Sequence, residues 1–317
     1  MAEPKIQSLS EKEAIEWIVE TVQQEKEGTS PFALVLGSGF SYGLVPTALQ
    51  LVGESLPLWV KCLNEHKSFE TQKDIPPDQR AEIVRDFWNS FVKRNANKLN
   101  LPLDSQTGLP ENYSDAYRAV FSPNYAGAVG TPAQARRFQR ALMQLDKPRL
   151  NAAHFLLASL LGVQPGKSRR SDLFNASAAF SRLILTTNFD PFLQTALQAV
   201  NRLYLMSDTP ELGIGHEIFD DQTDAIHLVY LHGTIHRRSQ AATDEDIKSL
   251  KEKNARTLAP ALEKRGVIVL GYSGWDDAVV EALAACNKFE HRLLLVRTRV
   301  RSTGKRCVWP TGGRHSA

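Results

Sequence analysis

The sequence predicts an α/β protein: a parallel sheet with helices on both faces, carrying a large helical insertion between the first strand and the second. Three observations predict it. Short unbroken apolar runs recur at Phe32–Leu36, Leu183–Thr187, His227–Leu231 and Val267–Leu270, as strands buried on both faces require. Helix-like stretches alternate with the later runs. From about Tyr42 to Ala179 the pattern is helical, with polar loops and no strong strand.

Each element has a local reason. Residues 10–27 form a first helix: Ser10 and Glu13 fit a capping box, Ile15, Ile18, Val19 and Val22 share one face, and Gly28 suits the C-terminal end. Phe32–Leu36 then runs into glycine and reads as the first strand. Inside the insertion, helices are expected over 47–66, 79–97, 132–145 and 149–162, with a Pro-, Gly- and Asn-rich loop from Leu101 to Tyr113. The insertion belongs to the same domain, because strands resume after it. Helices are expected over Pro191–Val200, about 244–264 and Asp277–Ala285, and Arg292–Val296 suits a last strand.

Composition excludes several classes. With 317 residues, 42% apolar and 23% charged, the chain is neither disordered nor collagen-like. No run approaches the ~18 apolar residues of a membrane span, and the N-terminus lacks the apolar core of a secretory signal, so a cytoplasmic protein is expected. Cys62, Cys286 and Cys307 form no CxxC pair and cannot pair completely, which suits a reducing compartment and excludes a zinc ribbon. The net charge of +3 conceals a split. Residues from Arg292 onward hold seven basic groups and no acid. Removing those seven from 38 Lys+Arg leaves 31 against 35 Asp+Glu, so the body is about −4. The charge therefore gives no support for direct, sequence-specific nucleic-acid binding. Residues 1–291 are expected to form the domain. Residues 292–317 are expected to be a last strand and a basic tail, disordered or read out of the ancestral frame after about Leu293.

Ligands of open parallel sheets bind beyond the carboxyl ends of the strands. Four such ends carry small or polar residues: Gly37-Ser38-Gly39-Phe40-Ser41, Thr187-Asn188-Phe189-Asp190, His232-Gly233 and Gly271-Tyr272-Ser273. The first suits a phosphate, because glycines let backbone N–H groups approach it at the opening of a helix. It equally suits a tight strand–helix turn. Asp190 before Pro191 fits a helix N-cap with proline at the first helical position. Asn188 precedes that cap, and its amide can orient a water or a sugar hydroxyl. His232 is either a structural residue or a proton acceptor. Its spacing from His227 and His236 does not converge on a metal, so no metal site is expected. Gly162 to Ser168 imitates a P-loop, but it has three residues between the glycines where four are needed, and it follows helix-like sequence.

In order and type the four segments resemble the sirtuin-like (silent-information-regulator) family, which reads Gly-Ala-Gly-x-Ser, Thr-Gln-Asn-x-Asp, His-Gly and Gly-Thr-Ser on a Rossmann-like sheet that binds NAD. Here Thr187 stands where the family usually has glutamine. The resemblance implies that Asn188 and His232 are the catalytic pair. It implies that Gly37, Ser38, Gly39, Phe40 and Ser41 meet the pyrophosphate, that Gly271, Tyr272 and Ser273 meet the adenosine half, and that Thr187 and Asp190 lie at the nucleotide. Two departures matter. The four-cysteine zinc module of the protein deacylases cannot be built, and Tyr42-Gly43-Leu44-Val45-Pro46 replaces their Asp-Phe-Arg segment. Such members resemble the bacterial anti-phage branch. The expected activity is therefore hydrolysis of NAD+ as substrate, without a metal. A non-catalytic NAD or ADP-ribose sensor and a protein deacylase are the alternatives. The resemblance also implies a homo-oligomer and a partner such as a HerA-type ATPase or an Argonaute-like protein. The helical insertion is expected to cover the nucleotide site or to form the oligomer contact.

Overall fold

The computed structural model describes residues 9–24, 30–69, 75–122, 124–128, 132–143, 150–162, 180–207, 225–231, 255–272, 278–286 and 293–296. The chain divides into two compact units. One draws on residues 1–40, 150–234 and 248–317, the other on 41–149 and 235–247.

The first unit is built on a six-stranded, all-parallel sheet. Its strands are β1 (Phe32–Leu36), β2 (Ser181–Thr186), β3 (Tyr204–Ser207), β4 (Ile226–Tyr230), β5 (Gly266–Leu270) and β6 (Leu293–Val296). They lie in the order β3-β4-β2-β1-β5-β6. Its helices are α1 (Glu11–Gln24), α7 (Ala152–Gly162), α8 (Phe192–Ala199), α9 (residues 255–263) and α10 (Ala278–Ala285).

Period-two alternation assigns the strand side chains to two cores. Phe32, Leu34, Leu36, Ile184, Leu228 and Tyr230 pack with Val22 of α1, Leu157 and Leu161 of α7, and Leu193 and Leu197 of α8. Ala33, Val35, Leu183, Leu185, Val229, Val267 and Val269 pack with Leu258 and Leu262 of α9 and Val279 of α10. Helices thus cover both faces, as the unbroken apolar runs require.

The expected capping box is present: Glu13 Oε2 accepts the Ser10 N–H at 2.7 Å, and Ser10 Oγ accepts the Glu13 N–H at 3.3 Å. The Ser10 N–H and the Ser10 hydroxyl, both donating to Oε2, hold the Glu13 carboxyl below its usual range. Ile15, expected on the buried face of α1, is 52% exposed. Trp17 takes the inward place, edge-on to Phe32 at 5.5 Å. Strand β3 was not expected; it is a short, half-exposed edge strand pairing in parallel with β4.

The described part of the second unit is helical: α2 (Ala48–Gln50), a π-helical turn (Leu51–Ser55), α3 (Leu56–Asn64), α4 (Pro77–Asn95), α5 (Tyr113–Phe121) and α6 (Pro132–Met143). Helix α5 is a further addition to the sequence reading. Trp59, Trp88, Phe91 and Phe138 centre this unit's own core. The Trp88 indole donates to the Val52 carbonyl at 3.0 Å. The Asn95 amide clamps Ala126, accepting its N–H at 2.7 Å and donating to its carbonyl at 3.0 Å. Among the described residues no helix is long and apolar enough to cross a membrane.

Candidate functional site

Strand register brings three of the four sequence segments to one row at the carboxyl edge. Leu36 pairs with Thr186 on one side and Leu270 on the other, and Thr186 pairs with Tyr230. Two bonds carry the alignment past the strands: Thr187 N–H donates to Leu36 O at 3.1 Å and Leu231 N–H to Thr186 O at 2.9 Å. The residues that follow, Gly37, Thr187 and Gly271, therefore leave the sheet level with one another on neighbouring strands about 4.8 Å apart, and Asn188 comes one residue beyond Thr187. The chain steps from β1 to β2, β3 and β4 on one side, then crosses to β5 and β6 on the other. The order reverses at β1, so the β1/β5 edge is the topological switch point where open sheets take their ligands.

The glycines are explained by backbone meeting backbone. Gly37 N–H donates to Leu270 O at 3.0 Å, and Gly39 N–H donates to Gly271 O at 2.8 Å. A Cβ on Gly37 would lie 2.5 Å from Tyr272 Cα, and one on Gly271 would lie 2.3 Å from Phe40 N. Gly271 also has φ +62°, which disfavours any side chain. The loops after β1 and β5 thus form one closed backbone unit at the switch point.

Two local expectations are corrected. Ser38–Ser41 is a single 3₁₀ turn, closed by Phe40 N–H on Gly37 O at 2.9 Å, and no α-helix opens there. The next helix starts at Ala48, after Gly43 at φ +82° and Pro46. A helix-terminal field is therefore not what this turn offers an anion. It offers exposed Ser38 and Gly39. The N-cap of α8 is Pro191, one residue later than expected. Asp190 still serves that end: its Oδ1 accepts the Phe192 N–H at 3.2 Å from a buried position.

Asn188 is half-buried between β2 and α8. Its backbone is fixed by donation to Thr186 Oγ1 at 3.1 Å, and Thr186 Oγ1 in turn donates to Leu36 O at 3.3 Å. Behind it, Tyr230 Oη donates to the Asp190 carbonyl at 3.0 Å and accepts Gln194 Nε2 at 2.9 Å. Burial, aided by the Asp190 charge, holds the Tyr230 phenol protonated, above its usual range. The last residue of β4 is thereby tied to the Asn188–Asp190 loop. Asp190 is the sole carboxylate in the segments 37–41, 187–190 and 271–272. Its engagement with α8 leaves glycine backbone and the exposed Ser38 at this edge, while the Asn188 amide oxygen is itself buried. His232, Gly233 and Ser273 lie outside the described residues.

Residues 182–303 match the family model of the SIR2-like domain. The match supports a place in the sirtuin-like superfamily, whose members are NAD-dependent enzymes. The SIR2-like segment takes in Thr187–Asp190, His232-Gly233 and Gly271–Ser273, while the glycine turn at 37–41 precedes it. It also runs through β6 to residue 303, so family-like sequence continues past Leu293. No curated protein matches the chain.

Sequence reasoning missed two residues beside this row. Asn151 caps α7, its Oδ1 accepting the His154 N–H at 3.0 Å, while its Nδ2 donates to the Phe40 carbonyl at 2.9 Å. His154 is 1% exposed, with its ring edge-on to Phe40 at 4.9 Å and to Phe192 at 5.7 Å. Burial lowers its pKa to about 4, so the imidazole is neutral near pH 7. An Asn-x-x-His pair before an apolar helix signals only a cap. The contact to Phe40 is tertiary.

Proposed function

We propose that the protein is an NAD+ hydrolase that cleaves the nicotinamide–ribose bond, serving as an anti-phage effector that depletes NAD+ when activated. The observation that carries this reading is Asn188 one residue beyond the row that Thr187 shares with Gly37 and Gly271, at the switch point of a sheet whose later strands match the SIR2-like domain.

The chemistry asks little of the protein. The C–N bond to a pyridinium breaks to release neutral nicotinamide, so no strong acid is required. Charge builds on the ribose, as in glycoside hydrolysis. Water adds at the ribose carbon and loses a proton, which yields ADP-ribose, nicotinamide and H+. Asn188 has the donor and acceptor needed to orient that water or a ribose hydroxyl. His232 supplies an imidazole, the side-chain type that can take a hydroxyl proton near neutral pH. The glycine turn with Ser38 takes the pyrophosphate, and the Gly271–Ser273 segment takes the adenosine half. With three cysteines, the chain has no four-cysteine module with which to present an acyl-lysine, so water is the acceptor. A homo-oligomer, regulated by a partner such as a HerA-type ATPase or an Argonaute-like protein, keeps the activity off until it is needed.

The test is to incubate the purified protein, alone and in its activated assembly, with NAD+ and to resolve the products by chromatography. Equimolar nicotinamide and ADP-ribose are expected. Tight NAD+ binding without turnover in the activated assembly makes the protein a sensor, and nicotinamide release that depends on an acylated peptide makes it a deacylase. Either outcome ends the hydrolase reading.

A further inference from the structure

The grip of α7 on the glycine turn goes beyond capping. An N-cap needs only a side-chain acceptor, and Asp or Ser supplies one as well as Asn. Asn151 uses its acceptor in that way, on the His154 N–H. Its amide N–H reaches 111 residues back in sequence to the Phe40 carbonyl. A carboxylate, which only accepts, cannot fill that second place.

Phe40 is the residue through which the turn can be held. Its N–H closes the turn on Gly37 O, its carbonyl is fixed by Asn151, and its ring lies against His154. The same His154 ring meets Phe192, whose N–H is bonded by Asp190 in the loop that carries Asn188. One helix end therefore fixes the turn after β1 and touches the start of α8, the two segments that flank the Leu36–Thr186 row.

We propose that Asn151 is a positioning residue for dinucleotide binding: its amide holds the Phe40 carbonyl and so presets the glycine turn to receive the pyrophosphate. This rests on the NAD reading given above. Asn151→Asp keeps the cap acceptor and removes the donor, while Asn151→Ala removes both. NAD+ is the titrant, followed by calorimetry on the full chain, with steady-state hydrolysis in the activated assembly.

Asn151→Asp is expected to melt between the wild type and Asn151→Ala, to bind NAD+ about three- to tenfold more weakly, the worth of one neutral hydrogen bond, and to raise KM by a similar factor at unchanged kcat. Asn151→Ala is expected to show the same binding loss together with a lower melting temperature. A purely structural Asn151 predicts the opposite pattern, with Asn151→Asp at wild-type KM. A wild type that binds NAD+ beside an Asn151→Asp variant that binds it equally well overturns this inference alone. A wild type that binds no NAD+ overturns the NAD reading and this inference with it.

Discussion

Replacing Gly271 by Ala adds one methyl group at the point where the loops after β1 and β5 meet. The new Cβ falls 2.3 Å from Phe40 N and 2.6 Å from Gly39 C, both backbone atoms that no rotamer change can move aside. The position also sits at φ +62°. Overpacking of this kind costs about 1–3 kcal/mol, and a left-handed non-glycine residue about 1–2 kcal/mol, so Gly271→Ala should cost about 2–5 kcal/mol. Against a domain stability of about 5–15 kcal/mol this is a large fraction. Two further variants separate the contributions. Gly37→Ala meets Tyr272 Cα at 2.5 Å without a positive φ, so it should lose only the packing part, about 1–3 kcal/mol. Gly43→Ala has φ +82° and nothing within 4 Å, so it should lose only the conformational part, about 1–2 kcal/mol. Urea unfolding followed by far-UV circular dichroism ranks the three. If Gly271→Ala unfolds no more easily than Gly43→Ala, the backbone contact is not as described.

Further outcomes follow from the same region. His154 has a folded pKa of about 4 against an ordinary 6.5, so between these values the unfolded chain binds a proton that the folded chain does not. The stability from neutral burial is present above pH 6.5 and falls as the pH drops toward 4, by about 2 kcal/mol between pH 7 and pH 5. His154→Gln should flatten that part of the profile; equal slopes for the two proteins would reject it. Asp190→Ala removes the bond to the Phe192 N–H and should cost about 1 kcal/mol of stability while turnover stays within a few-fold. Abolished turnover in a folded Asp190→Ala protein would instead place that carboxylate in the chemistry. Tyr230→Phe, which loses the bond to the Asp190 carbonyl, should cost about 1 kcal/mol by urea titration, and an unchanged midpoint would show that bond to be idle.

Burial decided which elements could be read from sequence. β1, β2, β4 and β5 are buried on both faces, so they are mostly apolar, and the apolar runs betrayed them despite the buried Ser181, Arg182, Thr186 and His227. β3 lies at the sheet edge, where Leu205 is 50% exposed and Leu203 before it is 66% exposed; its mixed residues carry no such signature. Helix α5 hid behind a loop rich in Pro, Gly and Asn, although Asn112 caps it by accepting the Asp115 N–H at 3.1 Å. Ile15 shows the limit of a helical face: periodicity put it inward, but the bulk of Trp17 against Phe32 set the actual orientation. The placement of Asn188 and the glycines just beyond strand ends was legible, because the apolar runs stop where the sheet does. The helix expected after Gly39 was not formed, because the turn's amides are directed to β5 and into the turn itself. Asn151 was invisible, since its chemistry lies in a contact to Phe40 that only tertiary structure creates.

The most direct test of the account is nicotinamide release from NAD+ by Asn188→Ala beside the wild type, in folded protein and in the same activated assembly. Asn188 lies in a loop fixed by backbone bonds through Thr186 and Leu36, so the alanine variant should fold and melt as the wild type does. Losing the group that orients water or ribose should lower turnover by about 10²-fold or more. A folded Asn188→Ala protein that releases nicotinamide at the wild-type rate would contradict the account.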